Sequence, residues 1–157
     1  MRTLQQWFDE YAESHQNKTN QKFHFICVPS IYFSIVGLLM SIDSSFLKDT
    51  FNLNNPFIEN WASILLVFIL LFYLKLSKKV FLRMLVFSII SVILNQLIST
   101  RVNLLYFSLF VFVIAWIGQF YGHHLEGKKP SFFKDLQFLL IGPPWVFEKL
   151  FTKTNSK

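Results

Sequence analysis

Long uncharged apolar runs alternate with short polar segments along this chain, and their lengths predict helices that cross a bilayer. Phe25 to Ile42 holds 18 residues without a charge, roughly 27 Å of helix and close to the thickness of a hydrocarbon core. Trp61 to Leu74 is uncharged throughout; Ile58 lengthens it on one side and a snorkelling Lys75 on the other, with Trp61 and Tyr73 placed as interfacial anchors. Val80 to Ile98 carries only Arg83 near its start and the polar pair Asn95 and Gln96 near its end, a pair of the kind that ties helices together. Val102 to Gly122 is uncharged and rich in Phe, Leu, Ile and Val. Between the first two runs, Phe46 to Glu59 reads as a turn-rich loop with Asn52, Asn54, Asn55 and Pro56. Ser131 to Phe151 mixes apolar and charged residues and is interrupted at Gly142, Pro143 and Pro144. That break predicts two interfacial pieces rather than a fifth span. The fold class expected is therefore all-α: an integral membrane helical bundle of four transmembrane helices plus a C-terminal interfacial segment. It forms one membrane domain over 1–157, with a polar arm over 1–24, four spans over 25–122, and a polar patch, interfacial segment and tail over 123–157.

Composition agrees with that class. Apolar side chains make up 53% of the chain, 20 of them Phe, and the mean hydropathy is +0.42, too apolar for a soluble domain of this size. The net charge of +6 is scattered between apolar runs, and no basic stripe with interleaved aromatics builds a groove for nucleic acid. Topology accounts for it better. Of the 15 Lys and Arg, 13 fall before the first run, around the join of the second and third (Arg83 included) or after the fourth, leaving only Lys48 and Arg101 elsewhere. Because basic residues beside a span resist translocation, four spans with both termini on the cytoplasmic side are expected, in a bacterial inner membrane or, for a eukaryotic source, the endoplasmic reticulum. No cleavable signal is evident, since residues 1–22 are polar and mixed in charge. With Cys27 alone, no intramolecular disulfide can form.

All four histidines sit in two polar patches, His15 and His24 before the first run, His123 and His124 after the last. An even number of crossings brings both patches to one face. The first patch has the pattern HxNxxNxxxH. Positions 15 and 24 lie about 180° apart on a continuous helix, so they share a ligand only if the helix breaks between them. Asn17 and Asn20 are suitable breakers and caps. In the second patch, Gln119 and His123 share a helix face and Glu126 lies three beyond His123. Adjacent residues point about 100° apart, so His123 and His124 both reach one ion only if the helix ends there, which Gly122 permits. The bland alternative is a pair of solvated polar arms.

Imidazole and carboxylate ligands without thiolate suit Fe(II), Zn(II) or Mn(II). Gln119, Asn17, Asn20 and Glu126 are candidates to orient ring nitrogens or to hold a substrate head. Iron with an open position would bind dioxygen; a closed tetrahedral set would hold structural zinc in a non-enzymatic scaffold or lipid-binding protein. Bis-histidine haem ligation is the weaker reading, because such ligands lie within facing spans and these lie at span ends.

These residues together, Tyr11, the HxNxxNxxxH patch and Pro29, GlnPheTyrGlyHis at 119–123, Glu126, Pro130 and GlyProPro at 142–144, resemble the small integral membrane proteins typified by the fungal 2-hydroxy fatty acid dioxygenase of phytosphingosine breakdown. The resemblance runs from about Tyr11 to Glu148. It implies an Fe(II)-dependent α-oxidation in which dioxygen cleaves a 2-hydroxy fatty acid between its first two carbons and an acid one carbon shorter is released. By match of motif, His15, His24 and His123 are the implied iron ligands, with His124 a further candidate. The membrane lipid phase would take the acyl tail, and Lys18, Lys22, Lys128 or Lys129 would attract the carboxylate.

Overall fold

Seven helices follow one another along the described residues: α1 (Leu4–Glu13), α2 (Lys18–Met40), α3 (Ser45–Phe51), α4 (Trp61–Leu76), α5 (Lys78–Ser99), α6 (Leu104–Glu126) and α7 (Phe132–Thr154). The structure, a computed structural model, describes residues 2–13, 15–52, 55–127 and 132–154, and side chains throughout these except at 132–137 and 152–154. No strand occurs among the described residues, as the apolar runs predict.

Among the described residues, three helices rather than four are long and apolar enough to cross a membrane: α2, α5 and α6, with 23, 22 and 23 residues. The second apolar run falls short because both ends of α4 are fixed. Asn60 caps its start by accepting from the Ser63 N–H at 3.0 Å, and Ser77 ends it in extended backbone after 16 residues, about 24 Å of rise. The expected loop over Phe46–Glu59 begins instead with α3, whose end is closed by Asn52 in the left-handed region (φ 49); Asn54 lies outside the described residues.

The predicted break at the prolines is also corrected, since α7 runs through Pro143 and Pro144. Proline disfavours helix in the residue before it partly through that residue's Cβ, and Gly142 has none. Ile141, Pro143, Trp145 and Val146 are all buried, so packing holds the turn that the prolines weaken.

Internal contacts divide the chain into two units, residues 1–32 with 113–157, and residues 33–112. In the second, α4 packs on α5. The Asn95 amide, expected as interhelical glue, donates to the Phe33 carbonyl of α2 at 3.1 Å and to Ser91 O at 2.9 Å. Gly37 makes room there, because a Cβ on it would overlap Asn95 Oδ1 and Ser108 Oγ.

The first unit joins α1, the start of α2, the end of α6 and α7. A reciprocal capping box opens α1: Thr3 N–H donates to Gln6 Oε1 and Gln6 N–H to Thr3 Oγ1. Its apolar face buries Phe8 and Tyr11, and it packs on α7. Helices α2 and α6 meet across Gly118 and Gly122, where a Cβ would lie 2.6 Å from Cys27 Sγ and 2.5 Å from Asn20 Oδ1. Small residues four apart let the two backbones come close.

Candidate metal centre

The turn between α1 and α2 brings His15 and His24 together. Asn17 Oδ1 accepts from the Thr19 N–H at 2.8 Å and the Asn20 N–H at 3.4 Å, starting α2 afresh as an N-cap does. Asn20, expected as a second breaker, instead lies in the first turn of α2. Gln21 Nε2 donates to the His15 carbonyl at 2.7 Å and closes the turn. His15 thus folds back over the face of α2 that carries His24.

Three imidazoles converge here. Nε2 of His15 lies 2.6 Å from Nε2 of His24, and the His123 ring centroid is 5.2 and 5.0 Å from theirs. One ligand atom from each of the three lies within 4.8 Å of the others. His15 and His24 are 2% and 1% exposed, and His123 is half-buried.

The outer ring nitrogens decide what the inner ones can do. His15 Nδ1 contacts the Tyr11 carbonyl at 2.5 Å and His24 Nδ1 the Asn20 carbonyl at 3.1 Å. A carbonyl oxygen only accepts, so both Nδ1 atoms carry protons and donate. In the neutral rings both Nε2 atoms then present lone pairs to one point, an arrangement that a shared cation stabilises. Backbone carbonyls fixing the tautomer and tilt of metal-bound histidines are the usual outer support of such sites. The donor set therefore fits a divalent metal of the iron or zinc kind. A haem does not fit between His15 and His24, because axial nitrogens would lie about 4 Å apart, twice a metal–nitrogen bond.

The remaining candidates take other places. His124 is exposed and outside the group, because α6 continues past Gly122 to Glu126 and ends at Gly127 (φ +70), leaving adjacent histidines on different faces. Gly122 serves close packing instead of helix termination. Glu126 touches no ring in hydrogen-bond geometry. Its Oε1 accepts from the N–H groups of Gln16 (2.8 Å) and Asn17 (3.1 Å), and its Oε2 from Asn17 N–H (3.0 Å) and Asn20 Nδ2 (2.9 Å). It thereby fastens the His15 turn to the end of α6, and its charge suits the N-terminus of α2. Asn17 acts as the cap of α2, while Asn20 accepts from His24 Nδ1 through its backbone carbonyl and donates to Glu126 through its side chain. Gln119 is 7% exposed, and its Oε1 has no hydrogen-bond partner among the described residues. Lys18 and Lys22 are exposed; Lys128, Lys129 and Pro130 lie outside the described residues.

Sequence reasoning missed the aromatic wall. Tyr11 stacks on His15 with centroids 4.1 Å apart and planes 9° from parallel, and Trp145 lies 5.0 Å from Tyr11 and 5.6 Å from His15. Phe138 meets the Tyr11 ring edge-on at 5.2 Å. Tyr11, four residues before His15, carried a usable signal; Trp145 gave none, because the prolines suggested a broken segment. Gly142 admits the Tyr11 hydroxyl, which would lie 3.1 Å from a Cβ placed there.

A cavity of about 40 Å³ opens beside the histidines. Its wall runs from His24 through Val28 to Ile31 on α2 and from His123 through Gln119 to Trp116 on α6, polar at the imidazoles and apolar beyond.

Comparison with curated proteins and with solved structures gave no match. A family model described as 2-hydroxy-palmitic acid dioxygenase Mpo1-like matches residues 1–154. With nearly the whole chain covered, the three-histidine cluster and its aromatic wall belong to a member of the 2-hydroxy-palmitic acid dioxygenase Mpo1-like family.

Proposed function

We propose that the chain is an Fe(II)-dependent membrane dioxygenase that converts a 2-hydroxy fatty acid and dioxygen into the fatty acid one carbon shorter, with His15, His24 and His123 as the iron ligands. The observation that carries this reading is the three-imidazole cluster at the polar end of a cavity whose other end is apolar. Three protein ligands beside a cavity leave metal positions open for reactants, whereas a structural zinc site is closed by four. The family description supplies the substrate class. Atom balance gives one 2-hydroxy acid and one dioxygen in, and one shortened acid, one carbon dioxide and one water out, with four electrons passing to oxygen.

Each part of the chain then has a task. Bound iron supplies a site for dioxygen and for the oxygen atoms of the substrate head. Tyr11 and Asn20 hold the imidazoles through their carbonyls, and Glu126 holds the turn that carries His15. Trp145 and Phe138 enclose the polar end and keep water from it. The apolar wall of Val28, Ile31 and Trp116 receives the first carbons of the acyl tail, which places the carboxylate at the histidines with the second carbon next to it.

The same geometry supports a topology. His24 stands near the start of α2 and His123 near the end of α6, and the two meet. If both helices cross the bilayer, the number of crossings from α2 to α6 is even, so α4 and α5 either both cross or both do not. Four crossings with both termini and the metal site on the cytoplasmic side agree with the distribution of Lys and Arg.

Anaerobic purification, metal quantification and incubation with 2-hydroxypalmitate under air test the reading. Iron at one per chain with oxygen uptake and release of the C15 acid is expected. Stoichiometric zinc with no turnover would establish the scaffold instead.

A further inference from the structure

Gln119 is a buried amide, 7% exposed, whose oxygen the described residues leave without a donor. Buried carbonyl oxygens in folded proteins are nearly always paired, since leaving one bare forfeits its hydrogen bonds to water without return. Gln119 lines the cavity of the three histidines and stands one helical turn from His123, about 6 Å along α6, on the side where the wall becomes apolar. The cavity has room for roughly three water-sized groups, which matches the oxygen-bearing head of a hydroxy acid better than any part of its tail.

An acceptor so placed selects for a donor. Ionised carboxylates only accept, and an acyl tail offers no donor at all. The hydroxyl on the second carbon is the one group of a 2-hydroxy acid that can donate to Gln119 Oε1, and with the carboxylate at the histidines and the tail running toward Ile31, that carbon falls on the Gln119 side. We propose that Gln119 is the specificity-determining residue that recognises the 2-hydroxyl group of the substrate and discriminates against fatty acids lacking it. This inference rests on the functional reading above, and it concerns binding rather than the metal.

The test is a pair of affinities. Full-length iron-loaded protein in detergent and without oxygen is titrated with 2-hydroxypalmitate and with palmitate, following quenching of the tryptophan emission to which Trp116 and Trp145 contribute. The unmodified protein is expected to favour the hydroxy acid by about tenfold, the scale of one buried hydrogen bond and its unpaired partner. Gln119→Leu should lose that preference while binding palmitate as before, with iron content and thermal midpoint unchanged. Gln119→Glu keeps an acceptor and should retain a preference for the hydroxyl while weakening both acids by charge repulsion. Equal weakening of both ligands by Gln119→Leu, or a preference that survives it, overturns the inference. Binding of both acids by the unmodified protein without preference overturns the inference alone, and binding of neither overturns the functional reading with it.

Discussion

Replacing Glu126 by Ala removes the carboxylate that ties the His15 turn to α6, and the loss can be sized from its partners. Asn20 is fully buried, and its Nδ2 donates to Glu126 Oε2, so truncation removes a hydrogen bond to a charged group, worth about 1.5–3 kcal/mol. The N–H groups of Gln16 and Asn17 lie at exposed residues and regain water, so losing the carboxylate there costs about 1 kcal/mol together, including its interaction with the α2 terminus. The total of about 2.5–4 kcal/mol falls on the segment that presents His15. Part of it appears as lost metal affinity, and a ten- to hundredfold weaker site is expected, as for other residues that hold a ligand from behind. Titration with Co(II), followed by its visible absorption and calibrated by competition with Zn(II), reads that change directly. Glu126→Gln retains one acceptor and should fall between. Because both side chains act through one contact, Asn20→Ala combined with Glu126→Ala should cost less than the two separate losses added. Unchanged Co(II) affinity and an unchanged thermal midpoint in Glu126→Ala would refute the fastening role.

Further substitutions probe the remaining parts of the site. Gly122→Ala places a methyl 2.5 Å from Asn20 Oδ1 and 3.3 Å from Phe23 Cβ; overpacking of about 1–3 kcal/mol should lower the thermal midpoint and weaken Co(II) binding together. Gly118→Ala meets Cys27 Sγ at 2.6 Å, so its destabilisation should be largely relieved when Cys27→Ala is added, as measured by thermal unfolding of the three variants. His124→Ala should keep full metal stoichiometry by elemental analysis, because its side chain is exposed outside the cluster. Gly37→Leu should destabilise the protein without changing metal affinity per folded molecule, since the overlap it creates is with Asn95 and Ser108 in the other unit.

The helical class and most helix positions are legible in the apolar runs, because unbroken uncharged stretches of this length, without strand-like alternation, suit a helix and are too long for a strand. What the runs did not convey was where α4 stops, which depends on Asn60 and Ser77 rather than on hydropathy. They also hid the continuity of α7, where the absent Cβ of Gly142 and the burial of Trp145 outweigh two prolines. In the site, the break between His15 and His24 followed from helix geometry and the capping chemistry of Asn17. The pattern could not distinguish His123 from His124, since that choice turns on whether α6 ends at Gly122 or at Gly127. Nor could it tell that Glu126 would face backbone N–H groups of a turn 110 residues away. Such a contact is set by packing between helices, for which uniformly apolar runs carry no register.

The proposed function depends on one Fe(II) shared by His15, His24 and His123. Iron per chain in protein purified without oxygen tests it most directly, compared across the unmodified chain and the variants His15→Ala, His24→Ala and His123→Ala. One iron in the unmodified protein and none in any of the three variants, all still folded and membrane-inserted, is the result expected. Iron retained after loss of any one of these imidazoles, or a full complement of zinc in its place, would contradict it.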